Sequence, residues 1–401
     1  MRKKRPVLSG IALSMMAFMM AESSLPYLGT LEIKAAPEEV TVEETENGYR
    51  MKNGYFDVET GKYGEITSLK IVGDEYDTNY VMNVNDNPQQ DTPYHEWLGD
   101  LMFKTKKEGE ENWTESLTNS SDEGRTVELD GNKVVVTYDN TLTEGDLAIK
   151  DFKLVETYSL VEDQLRWEIT VENTTDGDLI FGDFGVPLAF HEIWVNQGEA
   201  YEQCTVDHSF VGKDSSYVYV TRPSGEGRFL LMTPDTETGA GFEYQDHWQV
   251  SQRRPEEKEW CMDQADWANG LNVFYIHSDA ISQDEASGNK GYMESSSMTL
   301  GAGESKTYAF NFTAVSDEDN MKSVLYEEGI MDAVAVPGMT FARNMPAKMY
   351  LHTEIPQEDI SFAFRCPHTN NLHQGTNTVS NNLPCERTEE NTYANYLETK
   401  V

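Results

Sequence analysis

Short runs of alternating apolar and polar residues, each closed by Gly, Asn or Asp and followed at once by the next, fill the chain from Gly48 to Val315. A period of two sends successive side chains to opposite faces, so each run makes a strand with one face to bury. No amphipathic helix stands between these runs, and parallel strands need such crossovers. An alternating β/α architecture is therefore excluded. The pattern predicts an all-β chain, a large antiparallel β-supersandwich.

The punctuation is specific. In NGYFDVETGKYGEITSLKI the turn falls at Thr60-Gly61-Lys62, with Tyr55, Val58, Ile66 and Leu69 as core candidates. Asp130-Gly131 in TVELDGNKVVVTY marks a hairpin, and Glu162-Asp163 turns LVETYSLV back into LRWEITVEN. Gly177, Gly182 and Gly185 punctuate DGDLIFGDFGVPLAF, and RPSGEGR at 222–228 reads as a glycine turn, not a phosphate cradle. One linker helix is expected at 317–328, capped by Ser316. Asp317, Glu318 and Asp319 fill its first turn, Met321, Val324 and Leu325 its apolar face, and Gly329 ends it.

The ends differ in character. Arg2 to Arg5 and the apolar run Val7–Met20, too short for a span of ~20 residues, read as a secretory signal peptide cut near Ala35 or Ala36, with an uncut anchor as the alternative. The expected layout is 1–36 signal peptide, 37–315 β-supersandwich, 316–336 linker helix and connection, 337–364 partial β segment and 365–401 poorly ordered tail. The strand ISFAF has no evident partner in that tail.

Charge bounds the partners. With 70 Asp+Glu against 31 Lys+Arg the formal net charge is −39, which excludes a phosphate backbone and disfavours an anionic membrane. Trp and Tyr interleaved with Asp, Glu and His make the usual lining of a sugar site. DTPYHEWLGD supplies His95, Trp97 and Asp100; beyond it stand His191 with Trp194, and Glu243 with Trp248. The alternative for each is a structural role. A polysaccharide or oligosaccharide is the expected partner, with no cofactor, no nucleic acid and no membrane insertion after signal cleavage. Cys366, His368, His373 and Cys385 allow a zinc site, a disulfide or neither, and the four cysteines, with Cys204 and Cys261, allow three pairings.

NGYFDVETGKYGEITSLKI resembles the opening hairpin of the galactose-mutarotase-like β-supersandwich of carbohydrate-active enzymes. DEYDTNYVMN (74–83), WLGD (97–100), LRWEITVEN (165–173), GDFGVPL (182–188), GFEYQD (241–246) and VPGM (336–339), in that order, resemble a group of large secreted bacterial proteins that carry a domain of unknown function. The resemblance covers about residues 48–345. It implies a supersandwich followed by a linker helix and an α/α-barrel related to glycoside hydrolases. Catalytic acids belong mainly to such a barrel, so it implies no catalytic residue here. The expected function is the non-catalytic, carbohydrate-associated sandwich of a polysaccharide-degrading protein. A stand-alone carbohydrate-binding protein, or a His/Glu aldose epimerase, is the alternative.

Overall fold

The computed structural model describes residues 39–82, 97–120, 124–141, 145–191, 204–246, 271–283, 293–336 and 348–353, together with the backbone of three later strands. The first strands are β1 (Thr41–Glu44), β2 (Tyr49–Lys52), β3 (Phe56–Thr60), β4 (Ile66–Ile71), β5 (Met102–Lys107), β6 (Thr114–Leu117), β7 (Arg125–Asp130) and β8 (Lys133–Tyr138). The long middle strands follow: β9 (Phe152–Val161), β10 (Gln164–Asn173), β11 (Leu179–Ala189), β12 (Val206–Phe210), β13 (Tyr217–Thr221), β14 (Phe229–Pro234), β15 (Tyr244–Asp246) and β16 (Leu271–Ser278). After helix α1 (Asp279–Gln283) come β17 (Met298–Leu300), β18 (Ser305–Val315), helix α2 (Glu318–Glu327), β19 (Asp332–Val336), β20 (Lys348–His352), β21 (Ser361–Arg365), β22 (Leu372–Gly375) and β23 (Tyr396–Lys400).

Alternation decides which side of each strand turns inward. In β10, Leu165, Trp167, Ile169 and Val171 are buried while Arg166, Glu168 and Thr170 are half-exposed between them. Eight strands pair antiparallel in the order β12-β13-β14-β18-β10-β9-β8-β7, and a second sheet runs β15-β16-β11-β5-β6 with β17 also on β11. The hairpin sheet β1-β2-β3-β4 makes a third layer. One apolar core joins all three: Met51, Val58 and Leu69 from the hairpins, Trp167 and Phe310 from the eight-stranded sheet, Phe181 and Phe274 from the six-stranded one. Phe103 meets Phe152 edge-on at 4.9 Å and Phe184 meets Tyr308 at 5.6 Å, so rings of the two large sheets interlock. The chain is an all-β antiparallel sandwich.

The turns fall where the residues place them. Asp130 pairs with Lys133 across Gly131 and Asn132, and Val161 pairs with Gln164 across Glu162, whose φ is 53°, and Asp163. Val58, Ile66 and Leu69 are fully buried, and Tyr55 packs half-buried against them. Gly329 takes φ 72° beyond the end of α2.

Several expectations are corrected. There are two helices among the described residues, not one; α1, at five residues, is too short to show a helical period. The cap of α2 is Asp317 instead of Ser316: its carboxylate accepts the Asn320 N–H at 2.9 Å, while Asn320 Oδ1 accepts the Ser316 N–H at 3.0 Å. Asp332–Val336, read as connection, is a strand paired with β20. ISFAF has partners: β21 pairs with β22 on one side and β23 on the other. Among the described residues no helix is long and apolar enough to cross a membrane. Cys204 is buried, with its Sγ 3.5 Å from the Thr205 carbonyl oxygen; the other three cysteines lie outside the described residues.

Candidate functional site

The segment Gly182-Asp183-Phe184-Gly185 of β11 organises the outer face of the six-stranded sheet. Phe184 points into the core. A side chain at Gly182 would collide with the Trp113 indole, so the missing Cβ seats that ring on the sheet. At Gly185 a Cβ would come within 3.0 Å of Val273 and 3.2 Å of the Tyr275 ring. The register shifts between Phe181 and Asp183, where the extra residue, Gly182, makes room under the indole.

Around this floor lies a shallow open recess of about 10 Å³, room for about one water, lined by Met102, Phe103, Lys104, Glu115, Asp183 and Tyr275. Asp183 Oδ1 accepts the Ile281 N–H of α1 at 2.9 Å, and Lys104 Nζ lies 3.5 Å from Oδ2. Burial pushes the Asp183 carboxyl up to about 6 against the opposing pull of Lys104. Glu115 stands opposite Lys104 in register. Half-exposed Trp113 carries Lys106 Nζ 4.1 Å from its ring centroid. The face thus offers the Trp113 indole, the ammonium groups of Lys104 and Lys106 and the carboxylates of Glu115 and Asp183, with Glu108, Glu110 and Glu111 exposed in the β5–β6 turn beside them.

Ser278, the cross-strand partner of Asp183, leads to a second polar network. Glu243 Oε1 accepts from Ser278 N (2.8 Å), Ser278 Oγ (2.7 Å) and Ser296 N (2.7 Å), and Oε2 accepts from Ser296 Oγ (2.7 Å). Because the Ser296 hydroxyl donates to Glu243, it accepts from His277 Nδ1 at 2.9 Å, leaving Nε2 to accept from the Tyr308 hydroxyl at 2.7 Å. Burial, then Lys213 and Lys306, depress His277 to about 4, so the ring is neutral at pH 7. Among the described residues no group of three or more metal-ligating side chains converges.

A family of unknown function, DUF5695, matches residues 64–379. The chain belongs to the DUF5695 family. No curated protein matches the sequence. Among solved structures, a polysaccharide lyase superposes at TM-score 0.54 with 14% identity over 77% of this chain. The match takes in 39% of the lyase, so this DUF5695 chain spans about two fifths of its length. A galactose mutarotase related enzyme from Lactobacillus acidophilus superposes at TM-score 0.40, with 12% identity over 68% of this chain and 98% of its own. A galactose mutarotase-like protein from Clostridium acetobutylicum gives 0.40 and 12% over 70% and 99%.

Of the seven residues singled out in the sequence, Trp97, Asp100, His191 and Glu243 lie among the described residues. His95, Trp194 and Trp248 lie outside the described residues. Trp97 is buried against Met82. Asp100 is buried and occupied: Oδ2 accepts the Trp97 N–H at 2.8 Å, while Oδ1 takes the Thr118 hydroxyl at 2.9 Å and Arg125 at 3.0 Å. His191, half-buried, lies 3.3 Å from the Asn79 carbonyl through Nδ1. Glu243 belongs to the serine network. Trp113, Lys104 and Asp183 were not singled out. Their signals were the lysines alternating in MFKTKK and a strand-interior glycine, Gly182, read only as punctuation.

Proposed function

We propose that this DUF5695 chain is the carbohydrate-contacting β-sandwich of a secreted protein that acts on polysaccharide, and that it binds glycan on the outer face of the six-stranded sheet while the chemistry lies in another part of a longer protein. The observation that carries the reading is the half-exposed Trp113, seated on Gly182 beside the Lys104–Asp183 recess. An indole packs against the apolar face of a pyranose, and a neighbouring donor and acceptor fix its hydroxyls. The likeness of fold to part of a polysaccharide lyase supports this context.

The test is retention on a panel of insoluble and gel-entrapped polysaccharides, with Trp113→Ala and Lys104→Met beside the parent chain. Retention lost in both variants, with near-ultraviolet circular dichroism unchanged, is expected. Equal retention of all three proteins removes this face from the function. A second reading, proton transfer to a sugar, has its own observation: the Asp183 carboxyl at about 6 is poised where a general acid or base works. Polarimetry on free aldoses decides it, since an anomerisation rate equal to that of buffer eliminates the activity.

A further inference from the structure

We propose that Asn47 is a self-modifying site, which loses its side-chain amide to the following backbone nitrogen and leaves aspartate and isoaspartate in the β1–β2 turn. Asn53, with the same neighbour, is held unreacted by the fold. Asparagine followed by glycine occurs three times, at 47–48, 53–54 and 269–270. The first two pairs lie among the described residues, six positions apart, and the structure treats them in opposite ways.

The chemistry needs only water. The Gly48 nitrogen gives up its proton and bonds to Asn47 Cγ, closing a five-membered ring; the Cγ–Nδ2 bond breaks and ammonia leaves. Water then opens the succinimide. Addition at the side-chain carbonyl gives an ordinary aspartyl peptide, and addition at the main-chain carbonyl gives an isoaspartyl one, whose backbone runs through Cβ and Cγ. In sum, amide and water become carboxylate and ammonium. Glycine in second place favours ring closure, because it brings no Cβ to crowd the nitrogen and restricts the backbone least. The asparagine must also be free to swing onto that nitrogen, which makes local opening the step that the fold controls.

Asn47 meets these conditions. It is exposed, behind exposed Glu46, in a turn where Glu44 pairs with Tyr49 and the Thr45 N–H donates to the Gly48 carbonyl at 2.8 Å. The strand it closes, β1, is a four-residue edge strand with no buried residue. Asn53 does not meet them. It is 2% exposed; Oδ1 accepts the Tyr55 and Phe56 N–H groups at 2.8 Å each, and Nδ2 donates to the Glu162 carbonyl at 3.0 Å. Turning that amide onto the Gly54 nitrogen breaks three hydrogen bonds at a buried site. The isoaspartyl product also has a mechanical consequence. It adds a methylene to the backbone beside Gly48, where even a Cβ would collide with the Thr60 carbonyl oxygen. The modified turn must therefore shift away from Thr60.

The experiment incubates the full folded chain at 37 °C, at pH 8 and at pH 5, and follows its tryptic peptides by chromatography and mass spectrometry. Cleavage after Arg50 and Lys52 puts Asn47 and Asn53 on separate peptides. The expected result is a gain of about 1 Da in the peptide ending at Arg50, resolved into two isomers, with a rate higher at pH 8 than at pH 5. Asn53 should convert about tenfold more slowly or less in the fold, and within about threefold of Asn47 in guanidinium chloride. An Arg50 peptide that stays unchanged while the unfolded chain converts overturns the site, and so does a gain that persists in Asn47→Gln. Equal rates at the two asparagines in the folded chain overturn the protection of Asn53. Hydrogen exchange reads the consequence: amides of β1 and β2 should exchange faster in the aged chain than in the fresh chain or in Asn47→Asp, which carries the charge without the methylene. Equal exchange in all three overturns the shift of the turn.

Discussion

Glu243 and Trp113 show how differently two residues of sugar-site type are used. Glu243 has the residue type of a hydroxyl-binding acid, yet four donors from Ser278 and Ser296 fill its two oxygens and tie the segment before β17 to the end of β16. Nothing in the local string GFEYQD announces this, because both serines lie more than thirty positions away. Glu243→Gln keeps the shape but turns one acceptor into a donor facing donors. A loss of about 1–3 kcal/mol, the cost of buried hydrogen bonds left unmade, is expected in urea unfolding. A midpoint equal to the parent's removes the latch. Trp113 depends in turn on a residue with no side chain. Gly182→Val should lift the indole from the sheet, red-shift its fluorescence and abolish the glycan retention proposed above, while leaving the secondary structure intact. Unchanged emission and retention together mean that Gly182 does not seat the ring.

Elements were more legible than sites because each is written in adjacent residues. The hairpin at Asp130-Gly131-Asn132, the turn at Glu162-Asp163 and the inward run of β10 follow from alternation and turn chemistry within a dozen positions. What was missed lacks such a signature. Five residues of α1 hold no period, DAVAV in β19 has little polar alternation, and β21, β22 and β23 pair across gaps that no local pattern spans. The outer face of the six-stranded sheet was illegible for the same reason: β5, β11 and β16, with the residue just before β6, bring Lys104, Asp183, Tyr275 and Trp113 together from across about 170 positions of sequence. The helix α2 makes an element-scale test. Its cap is one carboxylate, Asp317, which Asn320 N–H and the Ser316 hydroxyl hold below the usual range. Asp317→Ala should cost about 1 kcal/mol, whereas Ser316→Ala should cost less, measured by urea unfolding of both variants. The reverse order returns the cap to Ser316.

At the scale of the whole molecule the buried acids set a pH dependence that runs opposite to ordinary acid denaturation. Glu156 lies on the inward face of β9, fully buried, accepting from Tyr138 Oη and Trp167 Nε1 at 2.9 Å each. Burial pushes its carboxyl up to about 8, and likewise Glu65 to about 7 and Asp183 to about 6. A carboxyl whose pKa is higher folded than unfolded binds the more protons in the native state, so its contribution is complete below the unfolded value near 4 and is lost as pH rises through the folded value. His277 opposes them: held neutral in the fold with its pKa near 4, it loses its contribution as pH falls below about 6.5. Between pH 4.5 and 6 three carboxyls outweigh one imidazole, and between 6.5 and 8 Glu156 and Glu65 act without opposition. Self-repulsion in a chain of net charge −39 falls with acidification and adds the same sign. Thermal unfolding should therefore show a higher Tm near pH 5 than near pH 8. Glu156→Gln, which cannot ionise, should flatten the fall between pH 6 and 8 more than Asp183→Asn does, because the Asp183 window closes near 6. A parent Tm that rises from pH 5 to 8 means that Glu156 and Glu65 are ionised in the fold and that Arg125, 3% exposed beside Asp100, neutralises them there.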